Sequence, residues 1–413
     1  MYKKLNQCRI CGNKELIQVL DLGEQMLTGV FPAYLNEKVT VGPLRLVKCH
    51  NQTGHNHCGL LQLEHSYDLA EMYGKNYGYR SGLNKSMVEH LHGKVRKILS
   101  MVTLNESDVV IDIGSNDSTT LQAYPMGPTL VGIDPTGVKF HTYYPEHISL
   151  IPDFFSADLF KQRFPNKKAK VVTSFSMFYD LEDPMAFMQQ VYDVLDDEGI
   201  WIFEQSYMPT MLAMNSYDTV CHEHLEYYAL RQIKWMADKV GFRIIDVEFN
   251  DVNGGSFSVM VSKQQSQRVS NMQVQQILDK EEADGLNTLT PYEHFAQRVS
   301  KLKEELIDFV NTQKAAGKTI SVLGASTKGN VILQYCKLTS EQVDFVGEVN
   351  PEKYGCYTPG TWIPIIEEQA LLVKSPDYLI VLPWHFRKFF ENQEKYRKCK
   401  LLFPLPNLEI SFM

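Results

Sequence analysis

The central part of the chain alternates between short apolar runs and longer amphipathic stretches. Segment 85–105 has apolar residues at helical spacing, and the run VVIDI at 109–113 follows it as a predicted strand. Further strand-like runs lie in TLVGI, AKVVTSF, GIWIFEQ and FSVMVSK, and we predict helices near 183–197 and 228–241 between them. This alternation predicts an α/β fold with a parallel or mixed sheet, and with ligands at the carboxyl ends of the strands.

The same pattern divides the rest of the chain. Residues 1–75 are loop-rich with short predicted strands, and residues 266–316 are polar and helix-compatible. The pattern of strand, turn and helix returns with TISVLGASTKGNVILQY. We therefore predict four parts: a small N-terminal domain at 1–75, an α/β core at 76–265, a helical connector at 266–316, and a second, smaller α/β domain at 317–413.

Charge and composition narrow the class of protein. The chain has 413 residues, of which 41 are basic and 49 acidic, so its formal net charge is -8. This balance argues against a general nucleic-acid or membrane-surface binder. Because the chain has no apolar run of about 18 residues and its first residues have no apolar signal-peptide core, we expect a cytoplasmic protein.

Four of the eight cysteines lie in the N-terminal part, where the first two form a C-x-x-C knuckle closed by a glycine. A long loop between ligands costs only modest closure entropy, so the wider spacing of the second pair still allows a tetrahedral structural Zn²⁺ site. The predicted ligands are Cys8, Cys11, Cys49 and Cys58. The histidines that can replace one of them are His50, His55 and His57. Unrelated free thiols are the simpler interpretation.

The first of two glycine turns, GSND at 114–117, lacks the G-x-G-x-x-G of dinucleotide binders. Alone, it indicates only a sharp connection between a strand and a helix. Asp134 ends the next predicted strand, where a carboxylate can accept hydrogen bonds from ribose hydroxyls. A glycine turn without a phosphate-binding fingerprint, combined with a ribose-binding acid, fits an adenosine without a pyrophosphate, such as S-adenosylmethionine.

The second turn, GASTKGN at 324–330, is not a P-loop. Lys328 precedes the second glycine, and no Ser or Thr follows it to hold magnesium. Backbone N–H groups at a helix start, together with Lys328, still predict an anion cradle that fits a nucleotide diphosphate. A solvated lysine at a helix end is the alternative.

The segment YDTVCHEHLEYYAL at 217–230 is rich in groups that bind metals or transfer protons. His222 and His224 are two residues apart, so they lack the i, i+4 spacing that places both rings of H-E-x-x-H on one helix face. In a strand or an extended loop the two rings would share a side, with Glu223 on the other. The spacing therefore excludes the helical zinc motif.

Taken in order, these motifs resemble one known family. The cysteine knuckle and CGLLQL are followed by YGYRSGLNKSM, DIGSND, GIDP, NGGSF and GASTKGN. The combination spans nearly the whole chain and resembles the three-domain sugar C-methyltransferases, which act on nucleotide-linked 4-keto-deoxyhexoses with S-adenosylmethionine. The resemblance implies a structural zinc, a Rossmann-like methyltransferase core, and a C-terminal Rossmann-like domain that helps to hold the nucleotide.

The resemblance also implies roles for individual residues. The cofactor residues it implies are Gly114, Asn116, Asp117, Asp134, Asp153 and Phe154, the last two beside the adenine. The catalytic residues are His224 as the base, Glu223 and His222 as candidates to fix its tautomer, and Tyr79. The substrate residues are Tyr77 as an alternative to Tyr79, Cys221, Ser326, Lys328, Gly329 and Asn330.

The chain departs from this family at two points in the expected active site. Some members have a tyrosine where this chain has Cys221, and others have a histidine where it has Tyr179 and Asp180. A different sugar, a different methylated carbon or a lost activity can follow from the absence of that tyrosine. We interpret Cys221 as an apolar filler rather than a nucleophile, because methyl transfer needs no covalent intermediate.

The implied chemistry starts from a carbonyl, because a sugar carbon becomes a nucleophile only beside one. A 4-keto group acidifies the C3 proton, a neutral histidine removes it, and a tyrosine or lysine stabilises the enolate oxygen. Methylation at oxygen or nitrogen and a non-catalytic sugar-nucleotide-binding scaffold are the alternatives. We expect a monomer or a weak homodimer that binds no nucleic acid and no membrane.

Overall fold

The computed structural model describes residues 2–50, 57–72 and 79–411. Tyr77 and His55, both named above as candidates, lie outside these residues. Within the described ranges, no helix is both long and apolar enough to cross a membrane.

An antiparallel sheet forms the N-terminal part. Strand β3 pairs with both β2 and β4, and two bulges interrupt the pairing of β2 with β3. The elements are β1 (Tyr2–Lys4), β2 (Leu16–Met26), β3 (Val41–Cys49), β4 (Leu61–Leu63), β5 (His65–Tyr67) and α1 (Leu69–Met72). The expectation of short strands is wrong for β2 and β3, which have 11 and 9 residues. Their length is hidden in the sequence because the bulges in β2, and Pro43 and the buried Lys48 in β3, break the alternating pattern.

The α/β core is a seven-stranded sheet in the order β12-β13-β10-β9-β6-β7-β8. Only β13 runs antiparallel to its neighbours. All five residues of β6 are buried, as expected of an apolar strand covered on both faces. The strands of this sheet are β6 (Val109–Ile113), β7 (Thr129–Ile133), β8 (Ile148–Ile151), β9 (Ala169–Phe175), β10 (Leu195–Ser206), β12 (Phe242–Asn250) and β13 (Ser256–Lys263). The short strand β11 (Glu226–Tyr227) lies in this part of the chain but outside the core sheet. The helices are α2 (Lys85–Met101), α3 (Gly137–Phe140), α4 (Ala157–Arg163), α5 (Pro184–Val194), α6 (Met208–Ala213) and α7 (Leu230–Val240).

Two helices, α8 (Met272–Ala283) and α9 (Thr290–Ala315), connect the core to the C-terminal part. The apolar residues of α9 recur every three or four positions and are buried. They are Tyr292, Phe295, Val299, Leu302, Leu306 and Val310. The helix predicted from this periodic stretch is confirmed.

The C-terminal part is a six-stranded sheet in the order β16-β15-β14-β17-β18-β19, parallel except for the last strand. Its strands are β14 (Ile320–Leu323), β15 (Val346–Glu348), β16 (Ile365–Glu367), β17 (Tyr378–Val381), β18 (Lys400–Phe403) and β19 (Glu409–Ser411). Its helices are α10 (Thr327–Tyr335), α11 (Glu368–Val373) and α12 (Arg387–Glu391). The strand order changes direction beside β14, which is followed by the GASTKGN turn.

One strand crosses between the predicted domains. Strand β11 does not join the core sheet but pairs with β4, so it forms the edge of the N-terminal sheet. It directly follows the CHEH segment in the sequence. The N-terminal part is therefore attached to the segment that carries His224.

Candidate active site and metal centre

A cavity of about 500 Å³ opens at the carboxyl ends of β6, β7, β9 and β10. The strand order changes direction between β6 and β9, which is where open α/β sheets bind their ligands. Five acidic side chains and one lysine line the described wall of the cavity: Asp112, Asp134, Asp180, Glu182, Glu223 and Lys328. This excess of carboxylates favours a ligand with positive charge near the core sheet.

Gly114 begins the turn after β6 and forms part of the cavity wall. Its φ of +73° lies in the left-handed region, where a residue with a Cβ is strained. A Cβ there would also lie 3.1 Å from Cγ of Met177. The backbone angle therefore favours glycine here, and a larger residue would also require the Met177 side chain to shift.

Asn116 and Asp117 fasten a preceding segment to this turn. The Asn116 side chain accepts a hydrogen bond from the Ser81 N–H at 2.9 Å and donates one to the Tyr79 carbonyl at 3.1 Å. The Asp117 carboxylate accepts one from the Gly82 N–H at 2.9 Å. Asn116 also lines the cavity, whereas Asp117 is not among its lining residues. The bonds of both side chains support the wall, and their contact with a cofactor stays a prediction.

Asp134 is buried at the cavity wall, and its carboxylate accepts hydrogen bonds from the Asn116 N–H and from Thr136. Phe154 also lines the cavity and is half exposed, so its ring is accessible to a ligand. The neighbouring Asp153 is exposed and is not among the lining residues. Phe154 is therefore better placed than Asp153 for the predicted contact with the adenine.

Asp112 is a cavity residue that the sequence reasoning missed. It lies inside the buried strand β6, and burial raises the pKa of its carboxyl to about 7. Its carboxylate accepts a hydrogen bond from the Thr173 hydroxyl. The signal in the sequence was a single acidic residue within an otherwise apolar strand.

The CHEH segment forms a turn, not a strand or an extended loop. Glu223 and His224 line the cavity, whereas His222 is fully buried against Tyr67, with ring centroids 4.6 Å apart. Its Nδ1 accepts the Thr28 N–H at 3.4 Å. The turn directs Glu223 and His224 together to the cavity, so the arrangement that a strand or an extended loop would give, with both histidines on one side, does not apply.

A backbone carbonyl fixes the tautomer of His224. Its Nδ1 lies 2.8 Å from the Thr219 carbonyl oxygen, which can only accept, so neutral His224 carries its proton on Nδ1. The lone pair on Nε2 is then free to accept a proton. The expectation that Glu223 or His222 fixes this tautomer is wrong, because Thr219 occupies the position.

The surroundings keep His224 neutral. Burial and the nearby Lys328 ammonium lower the pKa of His224 to about 4. Burial raises the pKa of Glu223, and its Oε2 has no hydrogen-bond partner among the described residues. The turn thus presents an unprotonated imidazole beside a carboxyl group whose ionised form is disfavoured by burial.

Two tyrosines form part of the cavity wall that includes His224. Tyr179 lines the cavity and packs edge-on against the His224 ring, with centroids 4.5 Å apart. Tyr79 also lines the cavity and is half exposed. Cys221 is buried and is not among the lining residues, and burial raises the pKa of its thiol, which suits an apolar filler.

The GASTKGN turn reaches the same cavity from the C-terminal part. Lys328 lines the wall and donates a hydrogen bond to the Asn253 carbonyl at 3.0 Å. The Ser326 hydroxyl caps α10 by accepting the Gly329 N–H at 3.0 Å. Asn330 is fully buried and donates to the Thr28 carbonyl at 2.7 Å.

These contacts divide the four predicted substrate residues of the turn. Lys328 faces the cavity, whereas Ser326, Gly329 and Asn330 are not among its described lining residues. A Cβ on Gly329 would lie 2.5 Å from the Leu382 side chain, so this glycine permits close packing of α10. Direct contact of these three residues with a nucleotide stays a prediction.

The four predicted zinc ligands meet at one point. The sulfur atoms of Cys8, Cys11, Cys49 and Cys58 all lie within 4.8 Å of one another. The closest pairs are 3.4 Å and 3.5 Å apart, near the separation of about 3.8 Å that tetrahedral zinc–thiolate bonds impose. His50 and His57 pack against each other outside this set. The donor set therefore fits Zn²⁺ with four cysteines.

Comparisons with known proteins match most of the chain. Three family models match in succession: a zinc binding domain at 8–73, a methyltransferase domain at 87–247, and a C-methyltransferase C-terminal domain at 251–406. The chain is 26% identical over 411 residues to the C-methyltransferase NovU of Streptomyces niveus. The alignment covers 98% of this chain and 96% of the relative. The predicted fold class and the predicted cofactors, S-adenosylmethionine and zinc, are confirmed.

Two solved methyltransferase structures each match less than half of the chain. An S-adenosylmethionine-dependent methyltransferase from Clostridium acetobutylicum is 11% identical, with 43% of this chain and 92% of that chain covered and a TM-score of 0.34. Magnesium protoporphyrin IX methyltransferase from Synechocystis is also 11% identical, with 43% and 79% covered and a TM-score of 0.32.

Proposed function

The chain belongs to the three-domain, S-adenosylmethionine-dependent C-methyltransferases, and we propose that it methylates C3 of a nucleotide-linked 4-keto-deoxyhexose. The observation that carries this proposal is His224 in the cavity wall, with Nδ1–H bound to the Thr219 carbonyl and Nε2 available as a base. A base is required because a sugar carbon must lose a proton before it can attack a methyl group.

The residues of the cavity support each part of this reaction. Nε2 of His224 takes the C3 proton, and the electron pair of the C–H bond forms the enolate of the 4-keto group. The Thr219 carbonyl holds Nδ1–H and stabilises the imidazolium that results. When bound, S-adenosylmethionine supplies the electrophilic methyl group on a sulfonium, which the enolate carbon attacks.

Two side chains are suited to the enolate and the nucleotide. Burial raises the pKa of Glu223 and shifts it toward its protonated form, and in that form its carboxyl can donate a hydrogen bond to the developing oxyanion. Lys328, on the C-terminal turn, also lines the cavity, and its ammonium can pair with a diphosphate. The acidic lining nearer the core sheet suits the cationic cofactor.

Hydrogen exchange tests the proposal directly. The protein is incubated in deuterated water with the keto-sugar nucleotide and either S-adenosylmethionine or its demethylated product, S-adenosylhomocysteine. We expect a C-methylated product that has lost its C3 hydrogen, and C3 deuteration without methylation when the homocysteine form is bound. Mass spectrometry and NMR of the sugar distinguish the two.

A histidine variant completes the test. His224→Asn is expected to lose both turnover and C3 exchange by about 10²–10⁴-fold, while its affinity for S-adenosylmethionine stays unchanged. The control is His294→Asn, an exposed position on α9. A methylated product that keeps its C3 hydrogen would favour an oxygen or nitrogen methyltransferase, and binding without turnover or exchange would favour a scaffold.

A further inference from the structure

Arg9 lies inside the cysteine knuckle, but its guanidinium contacts the segment that carries His224. The side chain is only 2% exposed. Nη1 donates to the Leu63 carbonyl at 2.7 Å and to the Leu225 carbonyl at 3.5 Å. Nη2 donates to the His65 carbonyl at 3.3 Å and to the Ser66 hydroxyl at 2.9 Å. One cation thus joins the knuckle, the N-terminal sheet and the active-site turn.

The residues that Arg9 reaches directly follow His224. Leu225 is the next residue in the chain, and Glu226, fully buried, has its carboxylate 3.5 Å from Nε of Arg9. The Leu225 carbonyl also accepts the Leu63 N–H at 2.9 Å, and β11 then pairs with β4. The end of the active-site turn is therefore held by the N-terminal sheet on one side and by Arg9 on the other.

Stability alone does not explain why Arg9 and Glu226 are both buried. Burying an arginine and a glutamate costs desolvation free energy, and apolar residues of similar volume often stabilise a protein as well or better. The four donor contacts of Arg9 instead fix a geometry, because its planar guanidinium presents N–H groups in set directions. A cation bound by Cys8 and Cys11 would fix the backbone on both sides of Arg9.

We propose that Arg9 is a positioning residue that couples the metal centre to His224. The metal orders the knuckle, the knuckle orients Arg9, and Arg9 holds Leu225 and Glu226 so that Nε2 of His224 faces the substrate. This inference rests on the proposed function for the role of His224. It extends the role of the metal centre from folding its own domain to setting the active-site geometry.

Two variants and a matched control test the coupling. In Arg9→Met the side chain keeps its apolar stem and loses every donor, and in Arg9→Lys it keeps its charge but not the fork of N–H groups. Arg45→Met is the control, because Arg45 lies in β3 of the sheet that Arg9 contacts but forms partly exposed ion pairs with Asp21 and Glu64. Readouts are kcat, KM for the sugar nucleotide, affinity for S-adenosylmethionine, metal content, and backbone hydrogen exchange at 217–228.

We expect Arg9→Met to reduce kcat by about tenfold to 100-fold, because small displacements of a reacting group have effects of this size. KM and cofactor affinity should stay within about twofold of the parent, because Arg9 is not among the described residues of the cavity wall. Exchange at 217–228 should become faster while exchange at 195–206 stays slow. The acid limb of the kcat/KM profile should move toward the ordinary pKa of histidine as His224 becomes more solvated. Arg9→Lys should fall between Arg9→Met and the parent.

Removing the metal provides an independent arm. Chelation of the parent protein should accelerate exchange at 217–228 as Arg9→Met does, and chelation of Arg9→Met should add little. Parental kcat and parental exchange in both Arg9 variants would overturn the proposal. So would an equal loss of cofactor affinity together with faster exchange throughout the chain in both Arg9 variants, which would mean general destabilisation.

The outcomes separate this inference from the proposed function. If the parent protein neither methylates C3 nor exchanges its hydrogen, the proposed function fails, whereas faster exchange at 217–228 in Arg9→Met would still support the coupling. If the parent methylates C3 but both Arg9 variants match it, the proposed function stands and the coupling fails.

Discussion

At the scale of single residues, the properties of His224 come from groups that are remote in the sequence or have no side-chain signal. The Thr219 carbonyl sets its tautomer, and Lys328, more than a hundred positions later, lowers its pKa. The sequence indicates that His224 is a candidate base, but no pattern of side chains can indicate a carbonyl partner. It also misassigns His222, because the conformation of a turn decides where neighbouring side chains point.

Replacing Lys328 tests the electrostatic part of this description. Its positive charge disfavours the imidazolium of His224, so Lys328→Met should raise the pKa of His224 above about 4. Because the base must be neutral to act, the acid limb of kcat/KM should move to higher pH by the same amount. Lys318→Met, at an exposed ion pair with Asp377, is the control and should leave the limb in place. An unchanged limb in Lys328→Met would contradict the assignment of Lys328 as the source of the shift.

At the scale of elements, the glycine turns and cysteines are predictable because each carries a local signal. The strand–turn–helix pattern gives the core sheet and the C-terminal sheet, and the four cysteines give the metal centre. Strands β2 and β3 are harder, because bulges and a buried lysine disturb their period. The two-residue strand β11 is hardest of all, since its pairing with β4 depends on contacts between distant parts of the chain.

The segment at 79–82 provides a test at this scale. Asn116 has a φ of +50°, which glycine adopts readily, so Asn116→Gly removes its two side-chain hydrogen bonds without new backbone strain. We expect faster hydrogen exchange at 79–83 and weaker binding of S-adenosylmethionine, by about fivefold to 50-fold for two lost hydrogen bonds. Isothermal titration and exchange mass spectrometry measure the two effects. Asn105→Gly, at an exposed turn, is the control.

At the scale of the whole molecule, two buried ionisable groups change the free energy of unfolding in opposite directions as the pH falls. Burial lowers the pKa of His222 to about 3, so the unfolded chain takes up a proton below the ordinary pKa of histidine while the folded chain does not. The burial of neutral His222 therefore lowers the free energy of unfolding as the pH falls from 6.5 toward 3. Asp112, with a pKa raised to about 7, acts in the opposite sense, because its folded state binds the extra proton.

His222→Gln isolates one of these terms. Relative to the parent, the free energy of unfolding of the variant should rise by about 1.4 kcal/mol for each unit that the pH falls below 6.5. Urea unfolding at pH 7, 6 and 5 measures this difference, with the first transition taken where several parts unfold separately. The exposed His294→Gln should show no such trend. Parallel curves for His222→Gln and its parent would contradict the burial of a neutral imidazole.

The pairing of β11 with β4 constrains how the parts of this protein can be exchanged between relatives. A hybrid gene spliced near residue 75 would join one parent's N-terminal sheet to an edge strand and a Glu226 that belong to the other parent. The residues that must match each other are therefore encoded in two distant stretches of the gene. Recombinants that inherit 1–75 and 217–228 from the same parent would keep these contacts, even where all residues between them come from the other parent.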